Sequence, residues 1–250
     1  MIAPYYKEEG GELFLGDCLE VMKGIEDKSI DMILADLPYQ ITNCHWDTII
    51  PFEPLWEQYK RIIKDNGAIV LTASQPFTSA LVMSNIKMFK YEWIWDKRLP
   101  SGFQIAKYRP MMKHENILVF SKETPKYNPI MTEQKPRKGG GFKTSSQSSP
   151  IKNVDGELRD YTQKYPQSIL EFYKRDRGTI HPTQKPVALG QYLIKTYTNE
   201  GDLVLDNTCG SGSFLVSAKL EKRKFIGIEI SKEYNDIAVN RIKAVQQSLF

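Results

Sequence analysis

The stretch "ILADLPYQIT", Ile33 to Thr42, sets an apolar run against a carboxylate, a proline and an aromatic ring. A run that stops so abruptly on polar residues and proline reads as a central strand feeding a loop. In open α/β sheets, ligands collect at the carboxyl ends of strands, so Asp36 and Tyr39 stand where chemistry can happen. A second stretch, "LVLDNTCGSGSFLVSA", joins a strand ending in Asp206 to a Gly-Ser-Gly turn and a helix start. Gly210 and Gly212 let the backbone turn tightly and approach a ligand, with the amides of the helix start facing it. Glu229 ends the next strand, twenty-three positions beyond Asp206. An acid there can accept both hydroxyls of a ribose. The loop matches neither the GxGxxG pattern nor a Gly-Lys-Ser/Thr triphosphate loop. With an aspartate at its head and few positive charges, it suits a nucleoside carrying a zwitterionic amino-acid tail.

The elements that must position these residues are legible as alternating runs. "ELFLGD" reads as a strand, and Asp17 can N-cap the helix that follows through Met22. "SIDMILAD" is the next strand. "PFEPLWEQYKRIIKDNG" reads as a helix, with Leu55, Tyr59, Ile62 and Ile63 on one face and Gly67 as its stop signal. "AIVLT" is a strand, "PFTSALVMSNI" a helix, and "KYEWIWDK" and "ENILVFSK" two further strands. Trp93 and Trp95, alternating with Ile94, are expected to divide between the core and the opposite surface. From about Ser121 the rhythm breaks, and "TEQKPRKGGGFKTSSQSSP" reads as a flexible loop inside a weakly structured insert ending near Ile180. Order returns after "HPTQKP": "VALGQYLIKTYT" is a helix, "DLVLD" a strand, "SFLVSAKLEK" a helix and "KFIGIEI" a strand. A last helix starts near Ser231, its expected N-cap, with Ile237, Ala238, Ile242 and Val245 facing inward. This alternation predicts an α/β fold with a doubly wound, mostly parallel sheet. The expected division is 1–120, an insert at 121–180, and 181–250.

Composition narrows the function classes. The 250 residues are 41% hydrophobic and 26% charged, ordinary values for a globular protein. No apolar segment is long enough to span a membrane. The N-terminal stretch lacks the basic-then-apolar layout of a signal peptide. Cys18, Cys44 and Cys209 form no CxxC pair, and three cysteines and three scattered histidines give no metal-ligand spacing. No metal and no disulfide are therefore expected, and a reducing, cytoplasmic location. His181 reads as structural, while His45 and Trp46 either line a base pocket or pack. The formal charge is +4, and the segment 121–180 alone holds twelve Lys or Arg against seven Asp or Glu. The run from Lys97 to Lys113 adds Lys97, Arg98, Lys107, Arg109 and Lys113 without an acid. Basic segments bearing aromatics suit a polyanion such as nucleic acid, or else are a solvated surface.

Taken together, three stretches resemble the amino-methylating DNA methyltransferases that use S-adenosylmethionine (AdoMet). "DLPY" resembles the family's Asp/Asn/Ser-Pro-Pro-aromatic catalytic motif, "DNTCGSGSF" its cofactor loop, and "HPTQKP" the segment that precedes that loop in the β-class. Their order, with the catalytic motif first and the cofactor loop last, is the β-class permutation, and implies a Rossmann-like methyltransferase sheet. Leu37 stands where the family usually has proline, but a main-chain carbonyl is all that position supplies, and Pro38 still keeps Leu37 extended. "NTC" replaces the family's Pro-Phe-x and leaves the glycines intact.

The resemblance implies that Asp36 and the Leu37 carbonyl, with Pro38 behind them, accept the hydrogens of a base amine, and that Tyr39 stacks on the base. It implies that Asp206, Gly210 and Gly212 surround the methionine end of AdoMet, that Glu229 takes the ribose, and that Thr183 and Lys185 hold the amino-acid tail. It gives Asp17 a contact with the cofactor's adenine, against its plain reading as a helix cap. Asp in the first motif position goes mostly with adenine N6, so cytosine N4 is the alternative. The implied partner is double-stranded DNA with a flipped target base, read by the basic segment 121–180. A homodimer and a separate restriction endonuclease are left open as partners, and no membrane is implied. RNA or protein-amide methylation, a nicotinamide oxidoreductase and a non-enzymatic DNA-binding module are the competing readings. The oxidoreductase leaves "DLPY" and "HPTQKP" unexplained, and the binding module leaves the cofactor loop unexplained.

Overall fold

Alternate residues of one strand show why the chain folds in layers. In the computed structural model, which describes residues 2–39, 49–139, 159–173 and 184–247, Met32 and Leu34 point to one face of the sheet and Ile33 and Ala35 to the other, all fully buried. A strand apolar on both faces needs cover on both sides. It receives three helices on each.

The elements in chain order are β1 (Tyr6–Glu8), β2 (Gly11–Leu15), α1 (Cys18–Met22), β3 (Ile30–Asp36), α2 (Phe52–Ile62), β4 (Ile63–Ala73), α3 (Phe77–Ser84), β5 (Phe89–Ser101), β6 (Met112–Phe120), β7 (Thr132–Gly139), β8 (Arg159–Lys164), β9 (Ile169–Glu171), α4 (Val187–Tyr197), β10 (Leu203–Asp206), α5 (Ser213–Leu220), β11 (Lys224–Glu229) and α6 (Lys232–Gln247). The main sheet runs β1-β2-β11-β10-β3-β4-β6-β5-β9. Its centre, β2 to β4, is parallel throughout, and β6 is antiparallel to both β4 and β5. Leu189, Leu193, Phe214 and Ile242 of α4, α5 and α6 pack on one face. Val21, Leu55, Tyr59 and Leu81 of α1, α2 and α3 pack on the other. The doubly wound α/β expectation holds.

Several local expectations change. Helix α2 ends at Ile62, and Gly67 lies inside β4 rather than capping the helix. The register jumps from Ile30↔Ile63 to Met32↔Ala68, so residues 64–67 bulge out. A Cβ at Gly67 would sit 2.9 Å from the Asp31 carbonyl, so this glycine marks close strand approach. Trp93 and Trp95 both face the core, at 4% and 1% exposure. Residues two apart on a strand share a face, so the expected division between them was incorrect. Thr132–Gly139, expected as flexible loop, is strand β7, paired antiparallel with β8.

Residues 129–167 form a compact unit of their own around the β7–β8 pair. Residues 121–128 and 168–173 belong instead to the main unit. Ser121 Oγ donates to the Gly67 carbonyl at 2.8 Å, and β9 pairs parallel with β5. His45, Trp46, Cys44, His181 and Thr183 lie outside the described residues. Cys18 and Cys209 are buried free thiols. Among the described residues no helix is long and apolar enough to cross a membrane.

Candidate active site

The carboxyl ends of adjacent parallel strands carry the residues picked out above. Along the edge from β2 to β4 stand Asp17, Glu229, Asp206, Asp36 and Thr72. The last two face each other across the β3–β4 register. Parallel strands deliver all their carboxyl ends to one edge, which is why side chains distant in sequence converge there.

Asp36 is held from several elements. Tyr39 Oη and Thr72 Oγ1 both donate to Oδ1, and Lys185 Nζ donates to Oδ2 at 2.6 Å. Thr208 Oγ1 donates to the Asp36 main-chain carbonyl at 3.1 Å, fixing its backbone to the strand next door. Two donors fill Oδ1 and one meets Oδ2, so among the described residues one acceptor lone pair of Oδ2 is left. No described residue donates to the Leu37 carbonyl. The Tyr39 ring lies 5.0 Å from Phe77, centroid to centroid, and Lys185 Nζ sits 5.9 Å from the Tyr39 ring centroid. Burial, reinforced by the Asp36 charge, pushes the Tyr39 phenol well above its ordinary value. It therefore stays a neutral donor.

Behind Lys185 runs a buried chain of charges. Lys185 Nζ lies 3.4 Å from Glu115 Oε2, and Lys97 Nζ lies 3.2 Å from Glu115 Oε1. Burial alone would pull the Lys185 ammonium down, but the Asp36 and Glu115 carboxylates outweigh it and hold the pKa above the ordinary lysine value. Lys97, 3% exposed, is tolerable in the interior only because a carboxylate meets it.

The other half of the edge is built from main chain. Glu229 Oε2 accepts the Gly210 N–H and Oε1 accepts the Ser231 N–H, both at 2.8 Å. Burial raises the carboxyl pKa against the opposing pull of these N–H groups and of the Ile230 N–H. Gly210 has φ +50° with no atom of the described residues within 4 Å of where a Cβ would stand, whereas a Cβ on Gly212 would meet Ala238 Cβ at 2.9 Å. One glycine opens space for a ligand, and the other closes α5 onto α6. Asp206 is buried and accepts only the Thr208 N–H, at 3.3 Å, among the described residues. Burial, with the Asp36 and Glu229 charges added, raises its pKa well above the carboxylate range. A buried acid without a cation is matched to a ligand that brings one. Asp17 caps α1, accepting from the N–H groups of Leu19 at 2.8 Å and Glu20 at 3.2 Å.

The structure therefore gathers Asp36, Leu37, Pro38, Tyr39, Asp206, Gly210, Gly212 and Glu229 along one edge. It places Lys185 against Asp36. Sequence reasoning missed Thr72, Thr208 and Glu115, and it read Lys97 as part of a basic run suited to a polyanion, whereas Lys97 is buried against Glu115. Thr72 carries the one signal that could have found it: like Asp36, it is a polar residue near the end of an otherwise apolar strand. Among the described residues no three His, Cys, Asp or Glu side chains group as a metal site.

This edge, on a doubly wound sheet with the catalytic motif ahead of the glycine loop, defines a Rossmann-like methyltransferase. The family model described as DNA methylase (N6_N4_Mtase) matches residues 30–240. DNA adenine methyltransferase YhdJ of Escherichia coli is 31% identical over 95% of this chain and 84% of its own length. Among solved structures, the M1.HpyAVI–SAM complex is 25% identical with a TM-score of 0.64, covering 93% of this chain and 98% of that one. The PvuII cytosine-N4-specific DNA methyltransferase shares the fold at 18% identity with a TM-score of 0.68, covering 95% and 88%. The chain belongs to the N6/N4 DNA methylase family.

Proposed function

We propose that this DNA methyltransferase uses AdoMet and acts on the N6 amine of adenine, with Asp36 and the Leu37 carbonyl as the amine's two acceptors. The observation that carries the reading is Asp36, tied down by three donors yet with one acceptor lone pair that no described residue takes, beside the Leu37 carbonyl, to which no described residue donates.

An exocyclic amine is a weak nucleophile because its lone pair is delocalised into the ring. Two acceptors on its two N–H groups draw the nitrogen toward tetrahedral geometry and free that pair. Asp36 also takes up the proton that the amine sheds. Lys185, Thr72 and Thr208 hold the carboxylate and its backbone still, and fixed positioning of this kind supplies several kcal/mol of a barrier. Tyr39, whose hydroxyl is engaged by Asp36 and Thr72, presents its ring to the target base. That base must first leave the duplex.

The residues present fit AdoMet. Asp206, buried without a cation, suits an ammonium group. The Glu229 carboxylate, held in place by main-chain N–H groups, suits ribose hydroxyls, and the space above Gly210 admits the ligand. When bound, AdoMet supplies an electrophilic methyl group on a good sulfonium leaving group. Thr183 is assigned to its tail by the family resemblance alone. Asp17 keeps its place at the adenine end while capping α1. Lys185 acts through Asp36.

Adenine is favoured by the aspartate in the first motif position and by the adenine-methylating relative. Target reading falls to the basic segment 121–180, where Lys135, Arg137 and Lys138 are exposed on β7. Phosphate contacts position, and base-edge contacts specify. The test is mass spectrometry of nucleosides from duplex DNA incubated with AdoMet and the wild type or Asp36→Ala. N6-methyladenine from the wild type alone supports the reading. N4-methylcytosine would move the substrate to the alternative, and the absence of any methylated base would overturn the reading.

A further inference from the structure

The hairpin joining β5 to β6 stands above the catalytic edge. Ala73 at the end of β4 pairs with Asn116 of β6, while Asp96 pairs with His114 and Ser101 with Met112. Residues 97–113 thus project past the strand ends that hold Asp36 and Thr72. Two strand spacings separate β3 from β6, a lateral offset of roughly 10 Å, about the width of a DNA groove.

The loop is unlike an ordinary surface turn. Every residue from 103 to 110 is exposed, and Phe103 and Tyr108 stand 78% and 88% open to solvent. Between Lys97 and Lys113 there is no acid. Arg98 and Lys113 are paired with Glu171 and Asp96, but Lys107 and Arg109 have no ion-pair partner among the described residues. The loop is also pre-shaped. Gly102 takes φ +91°, and the N–H groups of Ala106, Tyr108 and Arg109 bond back to the carbonyls of Phe103 and Ile105. Its base is fixed to the catalytic carboxylate through the buried chain Lys97–Glu115–Lys185–Asp36.

We infer that the 98–110 hairpin is a DNA-gripping element that meets the duplex beside the target base, with Lys107 and Arg109 on phosphates and Phe103 and Tyr108 against bases. This deepens the methyltransferase reading and rests on it. Positive charge without neighbouring acid complements phosphate, and exposed rings give stacking platforms for bases that lose their neighbours when one is flipped. A loop shaped in advance loses little entropy on binding. The buried charge chain holds this grip at a set distance from Asp36.

The test uses the full chain, a fluorescein-labelled duplex of mixed sequence and a salt series, with AdoMet affinity measured by calorimetry as a control for the fold and the cofactor site. Lys107→Ala with Arg109→Ala is expected to flatten the salt dependence of log K by about two. Phe103→Ala with Tyr108→Ala is expected to weaken DNA binding by about tenfold at unchanged salt slope. AdoMet affinity stays at the wild-type value in both. If the wild type binds DNA and both variants match it in affinity and slope, the hairpin assignment is overturned and the methyltransferase reading stands. If the wild type itself binds neither AdoMet nor duplex DNA, both fail together.

Discussion

Glu229 and Asp36 end strands of the same sheet, one strand apart, but are held by different parts of the protein. Glu229 is fixed by main-chain N–H groups of Gly210 and Ser231. Asp36 is fixed by side chains from Tyr39, Thr72 and Lys185, with Glu115 and Lys97 behind them. Main-chain donors come with the fold and survive most substitutions around them. A side-chain cluster depends on each member, and it loses both geometry and charge balance when one goes. The proposed cofactor half should therefore be robust and separable from the proposed catalytic half, which should fail as a unit.

The largest effect expected from breaking this division is at Asp36. Asp36→Ala should lower kcat by at least about 10³-fold, in line with losing a fixed electrostatic group at a reacting atom. AdoMet affinity by calorimetry should stay within a few fold of wild type; a matching loss of both would erase the distinction. Next comes Glu115→Ala, which strands Lys97 in the interior and leaves Lys185 to Asp36 alone. Breaking a buried pair costs about 3–5 kcal/mol, and urea denaturation should show a loss of that order. Retained stability would mean that water reaches Lys97.

On the cofactor side, Glu229→Gln should weaken AdoMet by roughly 10–100-fold, the worth of hydrogen bonds to a charged acceptor. DNA affinity should hold. Smaller still is the contrast between the two glycines. Gly212→Ala drives a methyl group into Ala238, which should cost about 1–3 kcal/mol of stability on top of the left-handed strain at its φ of +76°. Gly210→Ala meets no protein atom, so it should pay only the left-handed backbone strain of about 1–2 kcal/mol while blocking AdoMet. Equal effects on AdoMet binding would show that the open space at Gly210 is not where the cofactor lies.

The weakest signal is in pH. The folded Asp206 pKa is raised, chiefly by burial, so its contribution to stability is present at low pH and lost as pH rises through that raised value. An ammonium brought by AdoMet reverses the penalty. The AdoMet-induced rise in Tm should grow as pH climbs past the ordinary carboxylate range of about 4. A rise that is flat with pH would place the ammonium elsewhere.

The same division explains what the amino-acid sequence disclosed. Asp36, Asp206 and Glu229 are each the last residue of a strand, and a break in an apolar run is a local signal. Lys97 and Glu115 reach Asp36 only because β6 runs antiparallel to both β4 and β5, a long-range pairing that no local pattern announces. Gly67 misled for a related reason: a glycine marks a helix stop and a strand bulge equally well, and only the β3–β4 register separates them. Trp93 and Trp95 needed nothing beyond the two-residue period of a strand, correctly applied. Lys185 was found by its motif, but its partner was set by the fold.

The point where the chain leaves the main sheet has a consequence for the history of such a protein. Asn128 is clamped to the end of α4, its N–H on the Thr196 carbonyl at 2.7 Å and its amide on the carbonyls of Lys195 and Thr198. On the return, the Ser168 carbonyl accepts the Ile94 N–H at 2.8 Å, just before β9 zips onto β5. Two staples bracket the intervening stretch, and lengthening a tethered stretch twofold costs only about 0.6 kcal/mol. If that stretch reads the target as proposed, exchanging it like a cassette would rewrite a lineage's address on the genome without disturbing the chemistry carried on the sheet.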